Sequence, residues 1–391
     1  MAKKPLCIAI VAAEDSGDIL GADLIMALRQ YYPDAKFIGV AGSRMLSVGC
    51  ESLIPLSKLS VMGIIEVLKQ LRQLLKLRNT ICDFFIKNPP DVYIGIDAPD
   101  FNLPIEKKLK SKGIPTVHYV SPTIWAWREK RIHKIAKSVD MMLTVFPFEA
   151  AFYEKYGIPV RFVGHPLADK LLPSNDVSAL RKKLSLPQKA LVIALLSGSR
   201  KSELTHIAPS FIQAAQQSLL EKPDLIFITA APNQQRADQF RHLLNKYAPN
   251  LSVTIYIDQS RDVIAAADLV LLASGTATLE TLLLGKPMIV GYKVPWLNYI
   301  IGKILIKIDK FALPNILASE HIVPEFIQTC CTADNLKNTL LEQLANLPMS
   351  EMLDIKYEKI REGLKRNASE HAAYTVSQII DAHQHAQKIE I

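Results

Sequence analysis

The sequence predicts an α/β protein of two doubly wound domains, on three observations. The chain has 391 residues, too many for one ordinary hydrophobic core. Apolar, β-branched runs recur at helix-length intervals, the pattern of parallel strands buried on both faces. The rhythm breaks once, at 166–189 ("PLADKLLPSNDVSALRKKLSLPQK"), and then restarts. The expected plan is a first domain over 1–165, a linker over 166–189 and a second domain over 190–340. The strand-free segment 341–391 would either return to the first domain or exchange with a second chain. Two such domains would face each other across a cleft, each presenting the carboxyl ends of its strands, where open α/β sheets bind ligands.

In the first half the strands read as "LCIAIVA" (6–12), "KFIGVAG" (36–42), "DVYIGID" (91–97), "TVHYVS" (116–121), "MMLTVF" (141–146) and "VRFVG" (160–164). The second half offers "LVIALLSGS" (191–199), "LIFITAAP" (225–232), "SVTIYID" (252–258), "LVLLASG" (269–275) and "PMIVGYK" (287–293). After about residue 334 only helical patterns remain. No stretch reaches the ~20 uncharged apolar residues of a membrane span. Five cysteines without a CxxC pair argue against both a disulfide framework and a zinc site, and suit a reducing compartment.

The first strand-to-helix turn, "VAAEDSGDILGADL" (11–24), is acidic. A dinucleotide-binding turn would read Gly-x-Gly-x-x-Gly and seat a pyrophosphate on the helix N-terminus. Here Glu14, Asp15 and Asp18 surround a single glycine, Gly17, and would repel a phosphate. That argues against a two-domain dehydrogenase, the runner-up from another enzyme class, and points this turn at hydroxyl groups instead. The second half supplies the missing anion seat. "LLSGSRKSE" (195–203) carries Ser197, Ser199, Arg200 and Lys201 in a small-residue turn. "ASGTATLETLLLGKP" (273–287) crowds Ser274, Gly275, Thr276 and Thr278 at a helix N-terminus, where free N–H groups and the dipole favour anions. Ser274 or Thr276 alone reads better as a helix cap. Beside an arginine-bearing turn, the pair reads as a diphosphate seat, with Glu280 one turn on to hold a ribose. A net charge of +8 favours anionic partners. A nucleotide diphosphate on one domain and a hydroxyl-rich ligand on the other is the division of labour of a sugar-nucleotide glycosyltransferase.

These blocks resemble the lipid-A-disaccharide synthase family over most of the chain. The resemblance rests on "AEDSGD" (13–18), "GIDAPDFN" (95–102), "HYVSPTIWAWR" (118–128), "FVGHPLAD" (162–169), "SGSRKSE" (197–203), "SGTATLE" (274–280), "LPNILA" (313–318) and "VPEFIQ" (323–328). Ala13 and Asp15 depart from the family's Gly-Glu-Ala/Pro-Ser-Gly-Asp block, while Glu14, Ser16, Gly17 and Asp18 match it. The resemblance implies two Rossmann-like domains of GT-B type. It also implies inverting transfer without metal or other cofactor, from UDP-2,3-diacylglucosamine to the 6-hydroxyl of 2,3-diacylglucosamine 1-phosphate. The implied setting is the cytoplasmic face of the Gram-negative inner membrane, with peripheral attachment, no nucleic acid partner and room for a homodimer. A muramyl-lipid N-acetylglucosaminyltransferase or a UDP-sugar epimerase is the alternative of the same architecture.

Single-displacement inversion needs a base for the acceptor hydroxyl. Asp97, at the end of "DVYIGID", is the choice, with Asp100 as its rival. Arg200 would offset charge on the departing UDP. Glu14, Ser16 and Asp18 would hold sugar hydroxyls, and Ser197 and Ser199 complete the substrate set. Asn315, Glu325 and Gln328 enter only because they match family positions on the donor side. His118 and His165, at strand ends, are left out of catalysis. For the bilayer, "IIEVLKQLRQLLKLR" (64–78) puts Ile64, Val67, Leu68, Leu71, Leu74 and Leu75 on one helical face and Lys69, Arg72 and Lys76 on the other. Residues 104–137 add nine Lys/Arg against two Glu as a headgroup seat. "WLNYIIGKILIKIDKF" (296–311) is a second candidate for contact with the bilayer.

Overall fold

The computed structural model describes residues 5–59, 64–173, 176–296, 299 and 309–389. The chain divides into two compact units, Met1–Asp169 with Leu364–Ile391, and Lys170–Gly363.

The first unit runs β1 (Cys7–Ala12), α1 (Asp15–Tyr31), β2 (Lys36–Ala41), α2 (Ser43–Ser47), β3 (Cys50–Pro55), α3 (Ile64–Lys87), β4 (Val92–Ile96) and α4 (Pro99–Lys110). It continues with β5 (Thr116–Tyr119), α5 (Ile124–Trp127), α6 (Ile132–Ala136), β6 (Met141–Thr144), α7 (Pro147–Glu154), β7 (Val160–Phe162) and α8 (Pro166–Lys170). Its sheet is seven-stranded and parallel, in the order β3-β2-β1-β4-β5-β6-β7. The β1 residues Ile8–Ala12 are completely buried, as a central strand covered by helices on both faces requires. β3 was not evident in the sequence; as an edge strand with only Cys50 and Ile54 buried, it lacks a continuous apolar run.

The second unit runs α9 (Val177–Lys183), β8 (Val192–Leu196), α10 (Lys201–Glu221), β9 (Ile226–Ala231), α11 (Gln234–Tyr247), β10 (Val253–Ile257), α12 (Ser260–Ala266), β11 (Leu269–Ala273), α13 (Thr276–Leu283) and β12 (Met288–Tyr292). After it come α14 (Leu313–Ala318), β13 (Glu325–Ile327), α15 (Ala333–Ala345) and α16 (Glu351–Leu364). The six strands are ordered β10-β9-β8-β11-β12-β13, also all parallel. Strand order reverses at β1/β4 in one unit and at β8/β11 in the other, and such switch points open a crevice at the carboxyl ends of the strands.

Two segments differ from the sequence reading. The stretch 166–189 carries helices α8 and α9, and Arg181 of α9 is buried against the second sheet. Its guanidinium donates to the carbonyls of Ala266, Gln188 and Ala190 and pairs with Asp268 at 2.7 Å. The C-terminal helices do not act as one group. The chain up to Gly363 stays with the second unit, whereas α17 (Ala368–Ile389) packs on α1 in the first unit of its own chain. Ala368, Ala372, Ala373, Val376 and Ile380 form the stripe that joins the first core. Asp169 receives that helix, accepting from the backbone N–H groups of Arg366, Asn367 and Ala368 at 2.7–3.0 Å.

Candidate active site

In the first unit the β1–α1 and β4–α4 turns leave the sheet side by side, because Ala12 is the register partner of Ile96. Glu14, Asp15 and Ser16 are exposed there, with Glu14 in extended backbone at the N-cap of α1. Carboxylates at a helix N-terminus are favoured by the dipole, so the acidic turn also stabilises α1. Asp18 is different. It is 3% exposed, and its oxygens accept from the backbone N–H groups of Gly42 (2.7 Å), Arg44 (2.8 Å) and Met45 (3.1 Å). Expected to meet a sugar hydroxyl, Asp18 in this structure caps the N-terminus of α2. Gly42 must be glycine beside it, since a β-carbon there would lie 2.5 Å from Asp18 Oδ2.

Asp97 stands just past β4, partly exposed, with φ +51, followed by Ala98 with φ +42. Two successive non-glycine residues in the left-handed region are costly, about 1–2 kcal/mol each. Strain of this kind, once observed, marks a site worth a functional hypothesis. Among the described residues the Asp97 carboxylate has no hydrogen-bond or ion-pair partner. Asp100, the rival, is 85% exposed at its side chain and paired with Arg131. His118 is fully buried against Glu106 at 2.7 Å, and burial raises the Glu106 carboxyl above its ordinary range. Burial holds His165 neutral, down to about 4, while its Nδ1 accepts from Leu167 N.

The second unit repeats the arrangement with opposite polarity. β8 and β11 are neighbours, Leu196 opposite Leu272, so the 197–200 and 274–276 turns emerge together. Ser197 is buried, and Ser199 and Arg200 are exposed. The Arg200 turn already holds an anion, the carboxylate of Glu203. Its Oε2 accepts from Ser199 N (3.0 Å) and Arg200 N (3.1 Å), and its Oε1 from Arg200 Nη1 (3.0 Å). Gly198, at φ +107, makes room: a β-carbon would fall 2.5 Å from that of Glu203. Gly275 and Thr276 are exposed at the start of α13, with open space around the Gly275 α-carbon. Ser274 donates to Phe311 O and Thr278 to Gly275 O, each at 2.7 Å, so both hydroxyls brace the turn. Glu280 is paired with Arg261 Nε at 2.9 Å.

Asn315, Glu325 and Gln328 form a brace rather than a polar surface. Asn315, fully buried, donates to Val323 O and Glu325 Oε1 and accepts from Ile322 N and Val323 N. Glu325 accepts from Phe311 N and Ala312 N. Gln328 clamps Val294 through both its N–H and its carbonyl. Apart from the Asn315–Glu325 contact, their hydrogen bonds go to backbone groups, so in this structure they brace the 311–328 segment.

The family profile described as lipid-A-disaccharide synthetase matches residues 8–380. A lipid-A-disaccharide synthase from Alcanivorax borkumensis is 47% identical over 375 residues, spanning 96% of this chain and 98% of that protein. The chain belongs to the lipid-A-disaccharide synthase family. A relative from Pseudoalteromonas translucida is likewise 47% identical over 382 residues, covering 97% of this chain and 99% of its own. Lipid-A-disaccharide synthases are glycosyltransferases of lipid A biosynthesis, and the fold agrees. The kitacinnamycin glycotransferase superposes with TM-score 0.63 at 16% identity, covering 96% of this chain and 100% of its own. A UDP-GlcNAc 2-epimerase from Neisseria meningitidis, solved with UDP-GlcNAc, gives TM-score 0.61 at 15% identity over 95% of this chain and all of its own. Likeness at that identity carries the GT-B architecture alone.

Sequence reasoning missed Glu203 and Asn102. Glu203 is three residues past the N-cap, the spacing of a capping box, so its reach back to the turn was available as a signal. Asn102 is fully buried and donates to Asp97 O at 2.9 Å; only its place inside "GIDAPDFN" hinted at it.

Proposed function

We infer that this synthase transfers 2,3-diacylglucosamine from its UDP donor to the 6-hydroxyl of 2,3-diacylglucosamine 1-phosphate, with inversion, to give the β-1,6 disaccharide phosphate and UDP. The observation that carries this reading is Asp97: a carboxylate without a partner among the described residues, on a strained turn at the switch point of the first sheet. It takes the acceptor proton as the new C–O bond forms. Arg200 and the α13 N-terminus take the diphosphate, and Arg200 offsets the charge that grows as UDP leaves. Glu280 exchanges Arg261 for the ribose hydroxyls. Glu14 and Ser16, exposed beside Asp97, meet sugar hydroxyls, for which an acidic turn is suited.

Both substrates carry acyl chains, so the protein works at a bilayer surface. Among the described residues no helix is long and apolar enough to cross a membrane. The middle of α3 supports contact from one side: Leu71 is 42% and Leu75 37% exposed, while Leu74 leans on the core and Ile81, Cys82 and Phe85 are buried. The apolar face expected to be continuous is therefore divided, its exposed part pairing Leu71 with Leu75. The side chains of Ile64, Val67, Leu68 and Lys69, and most of the 296–311 candidate, lie outside the described residues.

The test is incubation of the purified protein with UDP-2,3-diacylglucosamine and the monosaccharide phosphate, followed by mass analysis and assignment of the anomeric configuration. A β-linked disaccharide phosphate that needs both substrates is expected. Asp97→Asn should keep the fold and lose about 10²–10⁴-fold in turnover. An α-linkage, or epimerised UDP-sugar without acceptor, would overturn the reading. An inactive Asp100→Asn beside an active Asp97→Asn would move the base to Asp100.

A further inference from the structure

The left-handed Asp97–Ala98 turn is disfavoured by its own β-carbons, so something must hold it. α4 begins immediately after it and lays two polar side chains, one helical turn apart, against β4. Asn102 is the first. Its Nδ2 lies 2.9 Å from Asp97 O and 3.3 Å from both Ile96 O and Val11 O, and its Oδ1 accepts from Tyr93 OH at 3.0 Å. One amide group thus ties the ends of β1 and β4 to the helix that follows the turn. Glu106 is the second. It meets His118 Nδ1 on β5 at 2.7 Å, and neither side chain reaches solvent.

Gly95 shows how closely these groups are fitted. A β-carbon there would lie 2.2 Å from Glu106 Oε1 and 2.8 Å from Asn102 Cβ, so only a glycine on β4 admits both. The Glu106–His118 contact is unusual for a sheet core. Burial of a carboxylate and an imidazole is expensive, and among the described residues Glu106 Oε2 and His118 Nε2 have no hydrogen-bond partner to offset it. A core with no duty beyond stability would fill this space with apolar side chains.

We propose that Asn102, Glu106 and His118 are positioning residues for the transfer: they fix α4 over β4 and β5 and thereby hold the Asp97 backbone left-handed, aiming its carboxylate at the acceptor hydroxyl. The proposal rests on Asp97 being the base. None of the three touches substrate; they act through the turn.

Asn102→Ala should lower kcat by about 10²-fold, the cost of a small displacement of a catalytic group, with UDP affinity by calorimetry unchanged. The diagnostic is a second-site change. Ala98→Gly makes the left-handed conformation cheap, so in the Asn102→Ala background it should restore at least ten-fold of the lost kcat. Added flexibility would rescue nothing if Asn102 served the core alone, and absence of rescue overturns the proposal. Glu106→Gln, which keeps an acceptor for His118, should stay within about three-fold of wild type, whereas Glu106→Ala should fall like Asn102→Ala. If Asn102→Ala does not fold, the Glu106→Gln and Glu106→Ala pair, with and without Ala98→Gly, carries the same test. Asp97→Asn is run alongside. An active Asp97→Asn rejects the base itself, whereas an inactive Asp97→Asn beside a fully active Asn102→Ala rejects only the brace.

Discussion

The β1–α1 and β8–α10 turns hold the same station in their units, each following the strand at which the sheet order reverses. Both bear a carboxylate in the first turn of the helix, and the two carboxylates are used in opposite ways. Asp18 reaches sideways to close the N-terminus of α2 and leaves the acidic start of α1 exposed. Glu203 folds back onto its own helix and holds Ser199 N, Arg200 N and the Arg200 guanidinium together. One turn presents negative charge outward and the other presents an exposed arginine. The same strand-turn-helix scaffold therefore presents opposite charge at the two turns, with Glu14 and Asp15 exposed at one and Arg200 at the other.

Substitutions on the two turns should separate chemistry from architecture. The largest effect is expected from Arg200→Ala, about 10²–10³-fold in turnover with the fold intact, as the proposed role requires, since leaving-group charge grows in the transition state. A loss confined to KM would instead assign Arg200 to ground-state binding. Asp18→Ala should act on stability: three backbone N–H groups lose their acceptor, at about 3 kcal/mol in chemical denaturation. An unchanged midpoint with lost acceptor binding would return Asp18 to the substrate site. Glu203→Ala should cost only about 1 kcal/mol, as a lost helix cap does, and Glu203→Gln less, since its carbonyl still accepts the same N–H groups. The smallest stability effect is expected on α3. Leu71→Ser with Leu75→Ser should leave the melting midpoint within about 0.5 kcal/mol while releasing the protein from anionic vesicles. A marked drop in the midpoint with vesicle binding retained would assign that face to the core.

The repeating apolar runs made both sheets legible, since buried parallel strands carry their burial on their surface chemistry. β3 and β13 were missed for the same reason: one buries only Cys50 and Ile54, and the other is three residues long with every position half-buried. Asp97 and Arg200 could be singled out as candidates because an inverting transfer calls for a carboxylate and a cation at strand ends. Asp18, Asn315, Glu325 and Gln328 could not be sorted from true ligands in the same way. A carboxylate or amide spent on buried backbone groups looks identical, in one dimension, to one offered to a sugar. The α17 stripe was visible as a helix, but its partner α1 lies at the other end of the chain, and no local pattern specifies that pairing.

That distant pairing bears on how the protein is made. The second unit is one uninterrupted length of chain, whereas the first is assembled from two lengths separated by all of the second. On the ribosome all of the second unit therefore emerges before the first unit is complete. The second unit can close while the first still lacks α17, and α1 must wait with its outer apolar face uncovered until the final helix emerges. At ordinary elongation rates that wait lasts on the order of tens of seconds. The Asp169 carboxylate, translated long before Arg366, Asn367 and Ala368, stands ready as the docking point that ends it.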